Sequence, residues 1–526
     1  MNRQLTLALL VATVATTTQA QDTYLNDRVS NASDVIGSAR YVGMGGAMGA
    51  LGADISVISN NPAGIGLLRR GLFSFTLGGQ IQDAKPAPGD SRGAFSFDQM
   101  GLVLPLGNVS DTDSRINFSF NYQKKANYNQ GILASQALGG ISQADMFAWV
   151  ANSIVQEDKK GYYFDSPFYD NLYTSGFFKE TTDAQGNLYF LNPNRGTTGH
   201  YYRKSWGSLQ GFDFNLSGSV EERFFWGFTF GLDHMDYQHE ASYEELGDDP
   251  YILYQDQQLK GLGINVKLGG IVRPIEDSPL RVGVAIETPT WLRLKHTAEA
   301  GLSVLDQNGR YTKASYMNDD NYLKYNLYTP WKFRFSLGST VDTYLAWDVE
   351  YEYSMNNYTK MGYPNNTNGY GESTLSMEKD RAMNQMTKNN TLGIHNVRAG
   401  IELKPVSNFA FRVGYNFFSK PYKTNARLDQ TCDSPAYDWS TSTEYINLGA
   451  THLLTLGIGY QGRHFFADLA YKYRHQRGDF YAFDDNFTSY NESFISEYPT
   501  LRDVQLAATE VNLDRHNVAV TLGYRF

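Results

Sequence analysis

The last residues of the chain, RHNVAVTLGYRF at 515–526, alternate strictly. Val518, Val520, Leu522, Tyr524 and Phe526 fall on one face, and Asn517, Ala519, Thr521, Gly523 and Arg525 on the other. A period of two over that length marks a strand with one dry and one wet side. Taken alone, it fits the edge of a soluble sheet equally well, but the pattern recurs along the chain. RFFWGFTFGLDH sets Phe224, Trp226, Phe228, Phe230 and Leu232 against Gly227, Thr229, Gly231 and Asp233. HFFADLAYKYR sets Phe465, Leu469, Tyr471 and Tyr473 against Asp468, Ala470, Lys472 and Arg474, and YLAWDVEYEYS sets Trp347, Val349 and Tyr351 against Asp348, Glu350 and Glu352. KFRFSLGS and FAFRVGYNF place Arg334 and Arg412 on the polar side, and GLGINVKLGG does the same with Asn265 and Lys267.

Roughly fourteen such segments of about 9–15 residues are expected, against the ~9–11 that a tilted membrane-crossing strand needs. Their centres lie near residues 76, 100, 120, 212, 230, 265, 287, 335, 349, 398, 413, 456, 470 and 520. No later run approaches the ~20 apolar residues of a spanning helix. The links sort by parity. After strands four, eight, ten and twelve they are short (SVEE, STVD, KPVSN and QGR), and after strand six the link is PIEDSP. After strand two the link is about nine residues; the alternate links run to about 77 residues after strand three, then roughly 20, 35, 35, 30 and 40. Only the first of these, around DAKPAPGDS, is brief. Short turns at one rim and long loops at the other are how outer-membrane barrels are built, and a sandwich or propeller has no reason to sort its loops so. The expected fold is all-β: a transmembrane antiparallel β-barrel of about 14 strands, closed because lipid offers an open edge no hydrogen-bond partner.

Composition supports this reading. Aromatic residues make up 14% of the 526, with 37 tyrosines, yet the mean hydropathy is −0.43. Rings facing lipid around a wet interior reconcile the two. The formal charge of −10 disfavours a nucleic-acid partner, and the single Cys432 excludes a disulfide framework. The opening MNRQLTLALLVATVATTTQA has the parts of a secretory signal: Arg3, an apolar stretch over 5–15, and Thr18-Gln19-Ala20 as cleavage site. The expected division is a signal at 1–20, a compact segment at 21–68 and the barrel at 69–526.

The compact segment contains RYVGMGGAMGALGADISVISNNPAGIG. Gly43, Gly45 and Gly46 suggest a dinucleotide loop, but Met48 stands where its third glycine belongs, Gly49 comes one late, and no strand precedes it. The segment lacks strand periodicity while spacing Val42, Met44, Met48, Leu51, Ile55, Val57 and Ile58 regularly, and it ends in a turn-forming Asn-Pro. A small body joined directly to strand one is expected inside the lumen, as a plug.

GMGGAMGALGADISVISNNPAGIG is similar to the amino-terminal signature of the FadL family of outer-membrane transporters, with Asn61, Pro62, Ala63 and Gly64 at its Asn-Pro-Ala motif and Gly43, Gly45, Gly46 and Gly49 as its glycines. VTLGYRF, with Tyr524 and Phe526, resembles the carboxy-terminal signal by which bacterial barrels are recognised for assembly. The resemblance implies passive uptake of hydrophobic compounds, such as long-chain fatty acids or aromatic molecules, past a hatch in the lumen. It also implies a site in the outer membrane of a Gram-negative bacterium. A hydrophobic ligand, outer-membrane lipid and lipopolysaccharide, and the barrel assembly machinery are the partners expected of a monomer with no cofactor. In that family the ligand leaves sideways near strand three; here RINFSFNYQKK has no Gly or Pro, so no kink is expected. A general polar porin, and a binding or assembly protein for a secreted partner, are the alternatives.

The inward basic residues Lys332, Arg334, Arg412 and Lys472 are candidates for holding a ligand or the hatch, or for pairing with Asp348, Glu350 and Asp468 across strands. His452, His464 and His475 lie near Asp468, but no serine completes a triad. His234 and His239 lack a third metal ligand. No catalytic or metal site is therefore assigned. Among the loops, ISQADMFAWVANSIVQE carries Ile141, Ala144, Phe147, Ala151 and Ile154 at helical spacing and predicts a short amphipathic helix.

Overall fold

The structure is a computed structural model that describes residues 23–30, 34–82, 93–106, 114–158, 161–164, 166–182, 188–192, 194–305, 311–316, 322–364, 377–428, 434, 441–491, 495–496 and 498–526. The expected signal, the DAKPAPGDS link and Cys432 lie outside them. Fourteen wall strands follow one another in chain order: β1 (Leu72–Gln82), β2 (Gly93–Leu106), β3 (Ser114–Asn127), β4 (Gly196–Val220), β5 (Phe224–Gly247), β6 (Tyr251–Val272), β7 (Arg281–Glu287), β8 (Lys332–Val341), β9 (Leu345–Ser354), β10 (Ile394–Val406), β11 (Phe409–Phe418), β12 (Tyr445–Gln461), β13 (Phe465–Tyr481) and β14 (Arg515–Arg525). Each pairs antiparallel with the next, and β14 returns to β1 from Leu72↔Arg525 to Gln82↔Arg515. The ring is closed.

Every expected strand centre falls in or immediately beside a wall strand. The faces match as well. Phe228, Ile264, Phe335, Val349, Val413, Leu456, Leu469 and Val520 are exposed, whereas Thr229, Asn265, Ser336, Asp348, Arg412, Thr455, Asp468 and Thr521 on the alternate positions are buried. A soluble protein hides its apolar side chains. Here they form the outer surface and the polar ones fill the centre, as a wall immersed in hydrocarbon requires.

The links largely keep their parity, with β4–β5, β8–β9, β10–β11 and β12–β13 joined by tight turns. Glu221, Glu222 and Asp342 take positive φ at two of these turns. One expectation fails. The link after strand five is not a loop of about 20 residues, because β5 and β6 continue in register to Glu245↔Tyr251 as strands of 24 and 22 residues. Beyond the lipid the outer face is no longer apolar, with Glu240 and Asp256 exposed, so alternation of hydropathy vanishes while alternation of direction persists. At ~3.4 Å per residue such strands reach about 80 Å, well past a membrane.

Strand three also departs from expectation. Its ladder with β2 runs from Leu106↔Ile116 to Gln99↔Gln123 and stops, although β1–β2 continues to Ile81↔Gly93. Against β4 the register shifts between Lys124 and Ala126. Strict alternation would send one of the consecutive lysines outward into lipid. The bulge turns both inward instead: Lys125 reaches Asp233 at 2.5 Å, and Lys124 lies 3.9 Å from Asp98. The expected helix is present as α3 (Gln143–Ile154), capped by Ser142, whose side chain accepts from Ala144 N–H at 3.0 Å. It packs into an aromatic cluster with Phe164, Phe168, Phe190 and Phe480 at the long-loop rim.

Val520 lies mid-strand on the outer face. Val520→Arg is expected to cost about 2–4 kcal/mol in equilibrium unfolding from liposomes; a cost under about 0.5 kcal/mol, the level of an ordinary surface change, would contradict a lipid-facing wall.

Candidate lumen site

The segment at 34–68 owes its shape to caps and glycines. Asp54 and Asn61 cap two 3-10 turns, Ile55–Ser59 and Pro62–Leu67, and Pro62 supplies a first position that needs no N–H. Ser38 caps α2 (Ala39–Gly43) by accepting from Tyr41 N–H at 3.1 Å, and its hydroxyl donates to Asp54 at 2.8 Å. Gly45 and Gly46 carry φ of +65° and +78°, which close the turn after α2.

The bonds of this segment go to inward positions all round the ring, which is possible only from within it. Ala39 N–H donates to Thr521 of β14 at 2.7 Å, and Thr455 of β12 donates to the Gly43 carbonyl at 3.1 Å. Asp348 of β9 accepts from Ala50 and Leu51 N–H at 2.9 and 2.8 Å. Asn117 of β3 donates to the carbonyls of Ile65 and Leu68. Arg40 meets Glu402 of β10 at 3.0 Å.

Each residue singled out in the sequence has a definite place here. Asn61 accepts from Ala63 N–H and donates to the Gly49 carbonyl at 2.8 Å. Pro62 and Ala63 lie against Gly227 of β5, and Gly64 against Gly52. A side chain at Gly43 would meet Gly457 at 3.1 Å; one at Gly49 would meet Glu350 and Ser336. Arg334 donates to the Asn60 carbonyl at 3.2 Å and pairs with Glu287 at 2.7 Å. Arg412 bridges Glu402 and Asp468, each at 2.6 Å, beneath Gly43. Lys472 pairs with Asp34 and donates to the Val35 carbonyl at 2.8 Å. Lys332 is half-buried and lines a cavity of about 120 Å³ with Glu287, Lys267, Arg398 and Glu352. Phe526 N–H donates to the Gly71 carbonyl at 3.1 Å, and Tyr524 packs on Phe465.

Asp468, set beside three histidines by the sequence, takes Arg412 instead; His475 pairs with Asp514 at 2.8 Å. Among the described residues no group of three or more His, Cys, Asp or Glu side chains is arranged to hold a metal ion.

No protein-family model matches the sequence, and no curated protein matches it. Solved structures do resemble it. The Ralstonia pickettii toluene transporter TbuX is 12% identical with a TM-score of 0.47, over 93% of this chain and 98% of its own. A Pseudomonas aeruginosa FadL homologue is 10% identical with a TM-score of 0.49, over 94% of this chain and 100% of its own. The Pseudomonas putida toluene transporter TodX is 11% identical with a TM-score of 0.46, over 94% and 99%. Nearly the whole chain takes part in each likeness.

Two features escaped the sequence reading. Asn60, not only its neighbour, ties the segment to the wall: its amide donates to both Glu350 oxygens at 2.8 and 2.9 Å, and its side-chain oxygen accepts from Arg398 at 2.9 Å. The second is a set of inward wall glycines. Gly400 and Gly414 are register partners, and a side chain on either would strike the Met44–Gly45 backbone. Glycine on the polar side of adjacent strands was the available signal.

Above this segment, α1 (Thr23–Ser30) inserts Leu25 and Val29 among Leu209, Met235, Leu259, Leu292, Leu294, Leu327 and Met361. Tyr24 stacks on Tyr422 at 4.6 Å, and Asp27 accepts from Asn356 and Tyr422 at 2.7 Å each. An apolar chamber thus sits above the polar contacts that bind this segment to the wall, filled by α1.

Asn60→Ala removes these amide bonds and leaves buried partners short of donors, a loss of about 1–3 kcal/mol. Hydrogen exchange should rise across residues 34–68 while the wall strands keep their protection; unchanged exchange in the segment would contradict an anchoring role.

Proposed function

We propose that this protein carries apolar small molecules across the outer membrane of a Gram-negative bacterium, with residues 21–68 as the hatch. The observation that carries the reading is the apolar chamber around α1, whose members Ala126 and Tyr128 stand directly above the end of the β2–β3 ladder. An apolar guest that passes the aromatic cluster at the long-loop rim next finds its own kind of surface there. Displacing α1 exposes Leu25 and Val29, a cost of roughly 1.5–3 kcal/mol each that a guest in their place offsets.

The exit is sideways. Below the chamber lies the cavity walled by Lys125, Asp233, Lys267, Glu287 and Arg334, and an apolar molecule crossing it would take the place of water around those charges and offer them no hydrogen bond in return. The β2 residues 93–98 have no ladder partner on β3, so the wall there parts without breaking strand hydrogen bonds. Phe95 and Phe97 flank that edge on the outer face. A general polar porin accords poorly with a lumen whose inward groups are bonded to the amino-terminal segment around the ring.

A disulfide across the ladder's end tests this route. With Cys432→Ser, the pair Asp98→Cys and Lys124→Cys should stop uptake of a fluorescent hydrocarbon into proteoliposomes when oxidised and restore it on reduction. Equal uptake in both states would remove the lateral path.

A further inference from the structure

Most of the buried cations in the lower lumen have a carboxylate. Arg334, Arg398, Arg412, Lys267 and Lys472 all do. Two buried arginines higher up do not. Arg474 on β13 and Arg515 on β14 are register partners, so their side chains lie directly opposite on the inward face. Each is only 6% exposed, and neither forms an ion pair among the described residues. Arg474 donates to Gln476 at 2.7 Å and Arg515 to the Asn127 carbonyl at 3.4 Å, while the Nε of each is buried with no partner. Like charges directly opposite on a ladder repel, and burial strengthens the repulsion.

Both arginines line a cavity of about 80 Å³, together with Arg28, Asp27 and Asp34. The two carboxylates are already engaged, Asp34 by Lys472 and Asp27 by Asn356 and Tyr422. Setting aside Asp27 and Arg28, both bonded elsewhere, and the Asp34–Lys472 pair, Arg474 and Arg515 themselves leave a surplus of two positive charges. A water-sized guest needs only ~10–15 Å³ on the same measure, so the space holds a small polyatomic ion. Guanidinium forks suit oxyanions, and a surplus of two matches a dianion better than a single carboxylate.

We propose that Arg474 and Arg515 form a binding site for a phosphate dianion in the upper lumen, either free phosphate or the phosphate of an amphiphile whose tail lies in the neighbouring chamber. Tyr237 belongs to both cavity and chamber, so head and tail sites are contiguous. Phosphate recognition stands apart from hydrocarbon uptake, because it is read as binding to the purified barrel in detergent with no transport step.

The test is titration calorimetry at about pH 8, where phosphate monoesters, with a second pKa near ~6, are dianionic. Inorganic phosphate, decyl phosphate and decanoate are the probes, on the wild type and on Arg474→Gln, Arg515→Gln and the corresponding Lys variants. Either phosphate probe should bind, at least tenfold more weakly to the Gln variants, with partial recovery in the Lys variants. Decyl phosphate binding at least tenfold tighter than inorganic phosphate assigns the site to an amphiphile; comparable affinities assign it to the free ion. No phosphate binding, binding indifferent to both Gln substitutions, or decanoate binding as tightly as decyl phosphate would overturn the proposal. Should a Gln variant fail to fold, protection of wild-type Arg474 and Arg515 from phenylglyoxal by inorganic phosphate decides the matter, and absence of protection overturns it.

Discussion

Hydrocarbon offers no hydrogen bonds to a peptide backbone, and the rest of this structure follows from that constraint. A sheet in lipid must close on itself, so β14 finds β1. Closure fixes which face is inside, and the same alternation that puts Phe228 and Val520 outward puts Thr229 and Thr521 inward. The interior that results is crowded with polar groups that must satisfy one another. Arg334, Arg398 and Arg412 with Glu350, Glu352, Glu402 and Asp468 do so across neighbouring strands, and the amino-terminal segment supplies further donors and acceptors.

The segment and the wall are fitted to one another at the level of single atoms. Gly400, Gly414 and Gly457 give up side chains so that Met44, Gly45 and Gly43 can lie on the strands. Asn60 and Asp348 join a polar wall to a segment whose own core is apolar, with Val42, Met48, Ile55 and Ile58 packed together. Above it the polarity reverses again, and α1 occupies a chamber of leucine and methionine. The lumen is therefore layered: a bonded lower zone, a charged cavity, an apolar chamber, and an aromatic cap built on α3.

Much of the wall was legible because a lipid-facing strand writes its direction into its hydropathy. The strand centres and nearly all of the loop parity follow from that alone. Legibility ended where lipid ends: β5 and β6 run on past Tyr237 and Leu259 with polar residues on both faces, and read as loop. The bulge in β3 was hidden for another reason. It needs neither Gly nor Pro: its cause is the pair Lys124–Lys125, which strict alternation cannot accommodate in a lipid wall. The amino-terminal motif located a compact body, but its partners come from strands hundreds of residues away. Asn60 looks no different from Asn61 until Glu350 and Arg398 are placed beside it. Arg474 and Arg515 become neighbours only once the β13–β14 register is known.

The claim on which all of this turns is that the amino-terminal segment seals a barrel that lipid surrounds. Single-channel recording in planar bilayers tests it directly, comparing the full chain with one lacking residues 23–68. The result expected is near silence from the full chain and stable, large conductance steps from the shortened one. Equal conductance from the two, with both inserted and heat-modifiable as folded barrels are, would contradict it.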